Sequence, residues 1–412
     1  MAKSNRRTNM IKIAVLGYGV VGSGVVSVLE RNRAHIRKNA GQEIEIKYIL
    51  DIKKFPESPN KALFADSFDE ILNDPEVEIV AEVIGGTKAA LDYTRKCLKA
   101  GKSVVTSNKE LVAEYGSELM NIAAEKKVNY LFEASVGGAI PIIRPLVQCM
   151  TANIIGEIYG ILNGTTNYIL TRMEKNNADF SASLTEAQKM GYAESDPTAD
   201  IEGHDTCRKI CILSSIAFGN HIHPEHVKTQ GIKDITIGDI RKAKSLGYKI
   251  KLLGRSRSVG DKVLVFVAPH LVSIGSVLSD VSDVMNAAVI RGNASGDIVL
   301  CGAGAGKLPT ASAVVADIID TVRHMHTRRG IGWSEGTKDI LGDPRLMESA
   351  WYIRTDAARD KIAREFGSVI FAKNDTDGDT AFITTVIDER KLDDLLSRDI
   401  TALSRFRILG DY

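Results

Sequence analysis

Ile11-Lys-Ile-Ala-Val-Leu-Gly-Tyr-Gly-Val-Val-Gly-Ser-Gly24 is the stretch whose reading decides the fold. Ile11 to Leu16 is a short apolar strand, and Val25, Val26 and Leu29 give the helix that follows an apolar face. Between them Gly17, Gly19 and Gly22 spell G-x-G-x-x-G. The first glycine allows a tight turn, the second lets the backbone approach a pyrophosphate, and the third lets helix and strand pack closely. Val20 and Val21 open the helix, whose positive end would face the phosphates. The glycines alone are a weak signal. In the order strand, turn, helix they predict dinucleotide binding rather than a structural turn.

Outward from this turn the rhythm of strand and helix continues. A second strand, Ile44 to Leu50, ends in Asp51-Ile-Lys-Lys54. An acid there hydrogen-bonds the ribose of NAD, whereas basic groups accommodate the 2′-phosphate of NADP. Asp51 and the two lysines leave both cofactors open, and Asp51 lies further on than the usual spacing of about 20 residues. A third strand, Val77 to Ile84, leads through Thr87 to a helix from Lys88 to Lys99. A fourth, Ser103 to Ser107, carries Asn108 and Lys109 at its carboxyl end, and a fifth is expected from Tyr130 to Val136. Ligands of open α/β sheets lie beyond the carboxyl ends of the strands, so Thr87, Asn108 and Lys109 are placed to reach a cofactor or substrate, with Ser107 beside them as a further cofactor-binding candidate. A surface lysine at a helix start is the plain alternative for Lys109. Strands without an alternating polar face predict a doubly wound parallel sheet of Rossmann type over residues 1–150.

From Ile154 the pattern changes to an α+β domain over residues 151–308, with strands expected to outnumber helices. Ile155 to Leu162 reads as a strand, and Asn163-Gly-Thr-Thr-Asn167 caps a helix starting near Tyr168. Ala187 to Lys209 then holds five carboxylates, Glu194, Asp196, Asp200, Glu202 and Asp205. Gly203 breaks the chain before an apolar helix that runs from Asp205 to Phe218, so Asp205 and Lys209 project from one face, a turn apart. Such a pair is commonly a solvated surface pair. Here an acidic loop feeds it and the other helix face is apolar, which suits a site for a cationic group beside a proton donor. His221, His223 and His226 follow in a loop that reads as solvated, with a metal site as the alternative. Gly302-Ala-Gly-Ala-Gly-Lys307 opens a long helix, Thr310 to about His326, with Pro309 near its first position. That helix is expected to complete the first domain. After a glycine-rich link near Arg329 to Gly342, within 327–349, residues 350–412 read βαββαβ, a ferredoxin-like module.

The bounds are ordinary. A chain of 412 residues, 44% hydrophobic and 25% charged, supports two or three domains. A net charge of +1 gives no electrostatic reason to expect nucleic acid or an anionic membrane as partner. The first ten residues are basic but lack an apolar signal core, and no run reaches the roughly 20 apolar residues of a span. Cys97, Cys149, Cys207, Cys211 and Cys301 show no CxxC or disulfide-framework spacing, and Cys207 and Cys211 read as small buried residues. A cytoplasmic location is expected.

On these residues the chain resembles the monofunctional homoserine dehydrogenases over nearly its whole length. The resemblance is carried by Ala187 through Gly191, Asp196-Pro197, Asp200, Gly203 and Asp205 to Lys209. Asn163 to Leu170, Ser107-Asn-Lys109 and Pro309 to Val315 support it. With no kinase-like segment before the glycine turn, the monofunctional form is expected. The resemblance implies NAD- or NADP-linked interconversion of L-aspartate 4-semialdehyde and L-homoserine. It implies Lys209 as proton donor, Glu194, Asp200 and Asp205 as substrate-binding residues, and Lys109 touching cofactor and substrate. Gly191 and Gly306 would line the cofactor. A sodium or potassium ion would be held by Glu133 and the carbonyls of Val136, Gly138 and Ile140, and the chain would form a homodimer or homotetramer. The tail resembles an ACT domain, but Arg354-Thr-Asp-Ala-Ala-Arg359 stands where a P-G-V-L turn is usual. A structural or pairing role is therefore open beside a regulatory one. A non-catalytic NAD(P)-binding regulator would have a decayed acid and lysine set, and this set is intact. Another semialdehyde or amino-acid dehydrogenase is the nearer rival.

Overall fold

Ile13, Ala14, Val15 and Leu16 are completely buried in β1 (Ile11–Leu16). β1 takes β2 (Ile44–Leu50) on one side and β3 (Val77–Glu82) on the other, both parallel. β4 (Ser103–Thr106) and β5 (Tyr130–Leu131) extend the sheet in parallel, giving the order β2-β1-β3-β4-β5. The computed structural model describes residues 10–325, 327, 332–336, 340–373 and 378–410. The basic start of the chain, His326 and parts of the link near Arg329 to Gly342 lie outside the described residues. The chain divides into two compact units, one of Met1–Ala152, Ser215–His223 and Ala303–Thr337, the other of Asn153–Ser214, Pro224–Gly302 and Lys338–Tyr412.

In the first unit the strand order reverses at β1, so the crevice beyond the carboxyl ends of β1 and β3 is the topological switch point. The glycine turn lies there. The Gly17 N–H donates to the Leu50 carbonyl at 2.7 Å, and the Val83 N–H donates to the Leu16 carbonyl at 2.9 Å. The helix Val20–Arg31 packs against the helix Lys307–Arg323 so tightly that a Cβ on Gly24 would sit 2.6 Å from the Lys307 carbonyl oxygen. That second helix starts three residues earlier than expected, and Pro309 is its third residue rather than near its first. Pro309 still falls in the first turn, where a missing N–H costs no helical bond.

The fifth strand is shorter than expected. After Leu131 the chain enters a 3-10 turn, Glu133–Ser135. The Glu133 carboxylate takes the N–H groups of Ile142, Ile143 and Arg144 at 2.7–2.8 Å, and its own N–H donates to Asp317 Oδ2 at 2.8 Å. These side-chain acceptors replace the ladder that a longer strand would need.

The second unit is built on a mixed sheet. Its strands are β6 (Ile155–Ile161), β7 (Lys228–Thr229), β8 (Tyr248–Val259), β9 (Lys262–Ser273), β10 (Met285–Gly292) and β11 (Gly296–Ala303). The tail adds β12 (Trp351–Thr355), β13 (Ile370–Phe371), β14 (Thr380–Ile383) and β15 (Ala402–Ile408). The order is β11-β10-β6-β8-β9-β15-β12-β14-β13, with β7 parallel to β9. The tail is thus a βαββαβ unit whose first strand is flanked by the third and fourth, around a core of Trp351, Ile353, Ile362, Phe382, Ile387 and Leu392. β15 runs parallel to β9 with Arg407 opposite His270, so the tail sheet continues the larger one. Sequence periodicity is silent on this join, which pairs the backbones of distant strands and is flanked by side-chain contacts such as Arg354 to Asp239 and Lys228 to Glu389.

Within residues 151–308 four helices appear that the sequence did not predict. Phe180–Lys189 begins at an Asp179 cap, Ile237–Ser245 at a capping box of Thr236 and Asp239, and Thr198–Ile201 and Val277–Asp280 are short. Strands there match helices in number rather than outnumber them. The helix expected near Tyr168 runs from Gly164 to Asn176. Asn163 is its N-cap, accepting from the Thr166 N–H at 2.8 Å, which moves the start four residues earlier.

Candidate active site

Lys209 and Asp205 are both buried on the helix His204–Phe218, at 7% and 3% exposure. The Lys209 ammonium donates to Asp205 Oδ2 and to the Leu162 carbonyl, each at 2.7 Å. Their spacing of four residues puts them on one face, and Leu162, just beyond β6, is the carbonyl that this face meets. Two acceptors fix a side chain that would otherwise carry four free torsions.

Asn163 joins this pair to a second acid. Its Nδ2 donates to Asp200 Oδ1 at 2.6 Å and to Asp205 Oδ2 at 2.9 Å, while its Oδ1 caps the helix that follows. One side chain thereby sets the spacing of two carboxylates and the start of a helix. In the sequence Asn163 read only as a cap. The signal for more was its position immediately after a buried strand, but its partners lie 37 and 42 residues away.

The structure brings Asn163, Asp200, Asp205 and Lys209 together, and Glu194 lies in the loop that precedes them. Glu194 is exposed, and its carbonyl accepts from Gln188 Nε2 at 3.1 Å. Gly191 ends the turn after the helix Phe180–Lys189 with φ +74°. Cys207 and Cys211 are buried as expected.

In the first unit the glycine turn shows the division of tasks that the motif predicts. Gly17 has φ +96°, and a Cβ on Gly22 would lie 1.9 Å from the Gly17 carbonyl oxygen. Gly19 has nothing within 4 Å of the place its Cβ would occupy. Open space at the second glycine, at a helix N-terminus, is what approach by a pyrophosphate requires. Val20 is exposed and Val21 half-buried beside it. Asp51 faces the turn. Its Oδ2 accepts from the Tyr18 N–H at 2.6 Å and its Oδ1 from the Lys53 N–H at 2.8 Å. A pocket of about 960 Å³ opens here, lined among others by Gly17, Asp51, Lys53, Lys54 and Gly85.

Thr87 precedes the helix Lys88–Lys99 without capping it through its side chain. Ser107 and Lys109 are half-buried around Asn108, which caps the helix Lys109–Lys126 and donates to the Gly86 carbonyl at 2.7 Å. Glu82, unremarked in the sequence, organises the ends of β3 and β4. It accepts from Thr106 Oγ1 at 2.6 Å and from the Ile84 N–H at 2.7 Å, and burial pushes its carboxyl up to about 7. Burial does the same to Asp317, raised to about 7 against the pull of Arg144 and with the push of Glu133. Gly306, with φ +126°, caps the helix Lys307–Arg323 and is exposed. No helix among the described residues is long and apolar enough to cross a membrane.

The chain matches two family models, one described as the NAD-binding domain of homoserine dehydrogenase over residues 17–133, the other as homoserine dehydrogenase over 141–319. It is 40% identical to a homoserine dehydrogenase of Pseudomonas aeruginosa over 84% of this chain and 82% of the relative. It is 41% identical to one of Bacillus subtilis over 76% and 73%. Among solved structures it is similar to a homoserine dehydrogenase from Thiobacillus denitrificans, with TM-score 0.86, 36% identity and coverage of 98% and 99%. A hyperthermophilic archaeal homoserine dehydrogenase in complex with NADPH matches with TM-score 0.64 and 29% identity over 76% of this chain and 98% of that one. Two models that tile both the glycine turn and the acid and lysine helix, with full-length likeness in sequence and fold, settle the family: the chain belongs to the homoserine dehydrogenases.

Proposed function

We propose that Lys209 is the proton donor of this homoserine dehydrogenase, and that Asp205 and Asp200, with Glu194, bind the amino-acid end of the substrate. The enzyme interconverts L-aspartate 4-semialdehyde and L-homoserine, a step of amino-acid biosynthesis, and NAD(P) when bound supplies or takes the hydride. Reduction of an aldehyde places negative charge on its oxygen, and an ammonium held in position can neutralise it and give up a proton. The reading rests on the Lys209 ammonium held between the Leu162 carbonyl and Asp205. Asp205 and the Leu162 carbonyl aim that ammonium, and Asn163 holds Asp200 beside Asp205. Lys109 serves the cofactor and the substrate. It is the second candidate for proton donor, as a lysine at the carboxyl end of β4, next to the helix cap Asn108. Initial rates of homoserine oxidation with NAD and with NADP, in wild type, Lys209→Ala and Lys109→Ala, test the assignment.

For the cofactor, Gly17, Gly19, Val20, Val21 and Gly22 take the pyrophosphate, with Thr87, Ser107, Gly191 and Gly306 contributing. Asp51 takes the ribose of NAD, and Lys53 and Lys54 admit NADP. The Glu133 turn fits a sodium or potassium ion. A carboxylate has about four lone-pair directions, three of which meet N–H groups here, leaving one. Asp317 beside it accepts the Glu133 N–H and pairs with Arg144, which holds the Glu133 turn in place. The carbonyls of Val136, Gly138 and Ile140 supply the remaining hard oxygen donors.

The tail serves structure and pairing rather than amino-acid sensing. Arg354, at the head of the turn where an effector would bind, is held by Asp239 at 2.8 Å and Asp379 at 2.7 Å. We propose a homodimer or homotetramer as the assembly, and a cytoplasmic location fits the five free cysteines.

A further inference from the structure

His221 is buried, unlike the solvated loop residue that its sequence context suggests, and its ring is oriented by the first unit around it. Nε2 stands 2.8 Å from the Ala113 carbonyl oxygen, so that nitrogen carries the hydrogen. Nδ1 then bears the lone pair, with Ser117 Oγ at 3.2 Å. The His223 ring lies 3.9 Å away, centroid to centroid, and its Nε2 is 3.2 Å from Glu335 Oε1. The other oxygen of Glu335 accepts from the Ser117 hydroxyl. One ligand atom from each of His221, His223 and Glu335 falls within 4.8 Å of the others.

The two chain segments that carry these groups are aligned by their backbones. The His221 N–H donates to the Ser334 carbonyl at 2.8 Å, and the Ser334 N–H to the Gly219 carbonyl at 3.0 Å. Trp333 is buried between them and the helix Lys109–Lys126, where a Cβ on Gly116 would lie 2.4 Å from its ring. A Cβ on Gly336 would lie 1.9 Å from the His221 carbonyl oxygen, so the segment passes as close as a backbone can. The three donors are therefore preorganised on fixed backbone, and none belongs to the residues assigned to the reaction.

We propose that His221, through Nδ1, His223 and Glu335 bind a divalent transition-metal ion of the zinc type, which fastens residues 333–336 to the loop 219–223. Two imidazoles and one carboxylate are a borderline donor set that suits Zn²⁺, Co²⁺ or Ni²⁺, whereas Ca²⁺ and Mg²⁺ require oxygen ligands throughout. The hydrogen bond from His221 to the Ala113 carbonyl is the partner that fixes the tautomer of a metal-bound imidazole, and Ser117 plays the same part for the carboxylate. Glu335 and His223 reach solvent, where a water molecule completes four-coordination at metal distances of about 2.0–2.1 Å.

The test uses the full chain, stripped with a chelator and titrated with Zn²⁺ by calorimetry, with Co²⁺ absorption and tryptophan fluorescence as second readouts. The expected result is one Zn²⁺ per chain, a Tm that rises with free Zn²⁺, and Co²⁺ bands of a tetrahedral nitrogen and oxygen site. Ni²⁺ should quench Trp333, whose ring is 5.7 Å from that of His221. His223→Ala and Glu335→Gln alter half-exposed or exposed groups and should fold. Each should weaken Zn²⁺ binding by more than the roughly 10–100-fold that loss of an outer-shell partner costs, and abolish the Tm response. Zn²⁺ binding that persists in both variants and is lost in Cys149→Ser with Cys301→Ser would overturn the proposal, as would failure of the wild-type chain to bind.

Discussion

Lys209 Nζ stands 2.7 Å from Asp205 Oδ2, one helical turn away, and both groups are buried. A lysine and an acid taken out of water together stay charged only because each is the other's counter-ion and the remaining donors find acceptors. If Lys209 is the proton donor proposed above, this pair holds its ammonium at one fixed position.

Removal of that donor should therefore cost turnover and little else. Lys209→Ala is expected to lower kcat by roughly 10²–10⁴-fold, the usual worth of general acid catalysis, with NAD(P) Kd unchanged by fluorescence titration. Turnover close to wild type in Lys209→Ala, together with its loss in Lys109→Ala, would hand the role to Lys109.

The glycines of the turn should separate into two kinds. Gly19→Val places its side chain in open space, so the protein should fold with its Tm little changed while the cofactor Kd rises steeply. Gly22→Ala forces a methyl group to within 1.9 Å of the Gly17 carbonyl oxygen and should lower Tm or prevent folding. A folded Gly19→Val protein with an ordinary cofactor titration would remove the site from this turn.

Cofactor choice should depend on the charge of Asp51. Its carboxylate accepts two backbone N–H groups at the mouth of a pocket that also carries Lys53 and Lys54. Asp51→Asn keeps the shape and removes the repulsion of a 2′-phosphate. The ratio of kcat/KM for NADP to that for NAD should rise by roughly tenfold or more. An unchanged ratio would mean that the ribose end binds elsewhere.

Stability should fall as pH rises through the range that separates the two states of Glu82. Its folded value of about 7 lies above the ordinary 4.5, so between these pH values the native protein holds a proton that the unfolded chain has lost. The loss attributable to Glu82 is at most about 3 kcal/mol, since each pH unit is worth about 1.4 kcal/mol. Asp317 adds a slope of the same sign. Glu82→Gln should flatten the pH dependence of denaturant unfolding in that window and leave the Asp317 part. An identical slope in the variant would show that Glu82 does not titrate there.

The sequence by itself determined the parallel sheet, the glycine turn and the helix that carries Asp205 and Lys209. Each of these is written in local periodicity and in short spacings, and a four-residue interval on a helix already places two side chains together. It also showed the βαββαβ order of the tail. Only the tertiary structure decided which groups meet across long loops. Asn163 finds Asp200 and Asp205, Glu133 finds the N–H groups of 142–144, and His223 finds Glu335 across 112 residues of chain. The parallel pairing of β15 with β9 is of the same kind, since backbone hydrogen bonds between distant strands leave no mark on side-chain pattern. Burial, which turned His221 from a loop residue into an oriented ring and raised the carboxyls of Glu82 and Asp317, is a property of what folds over a residue and not of its neighbours in the chain.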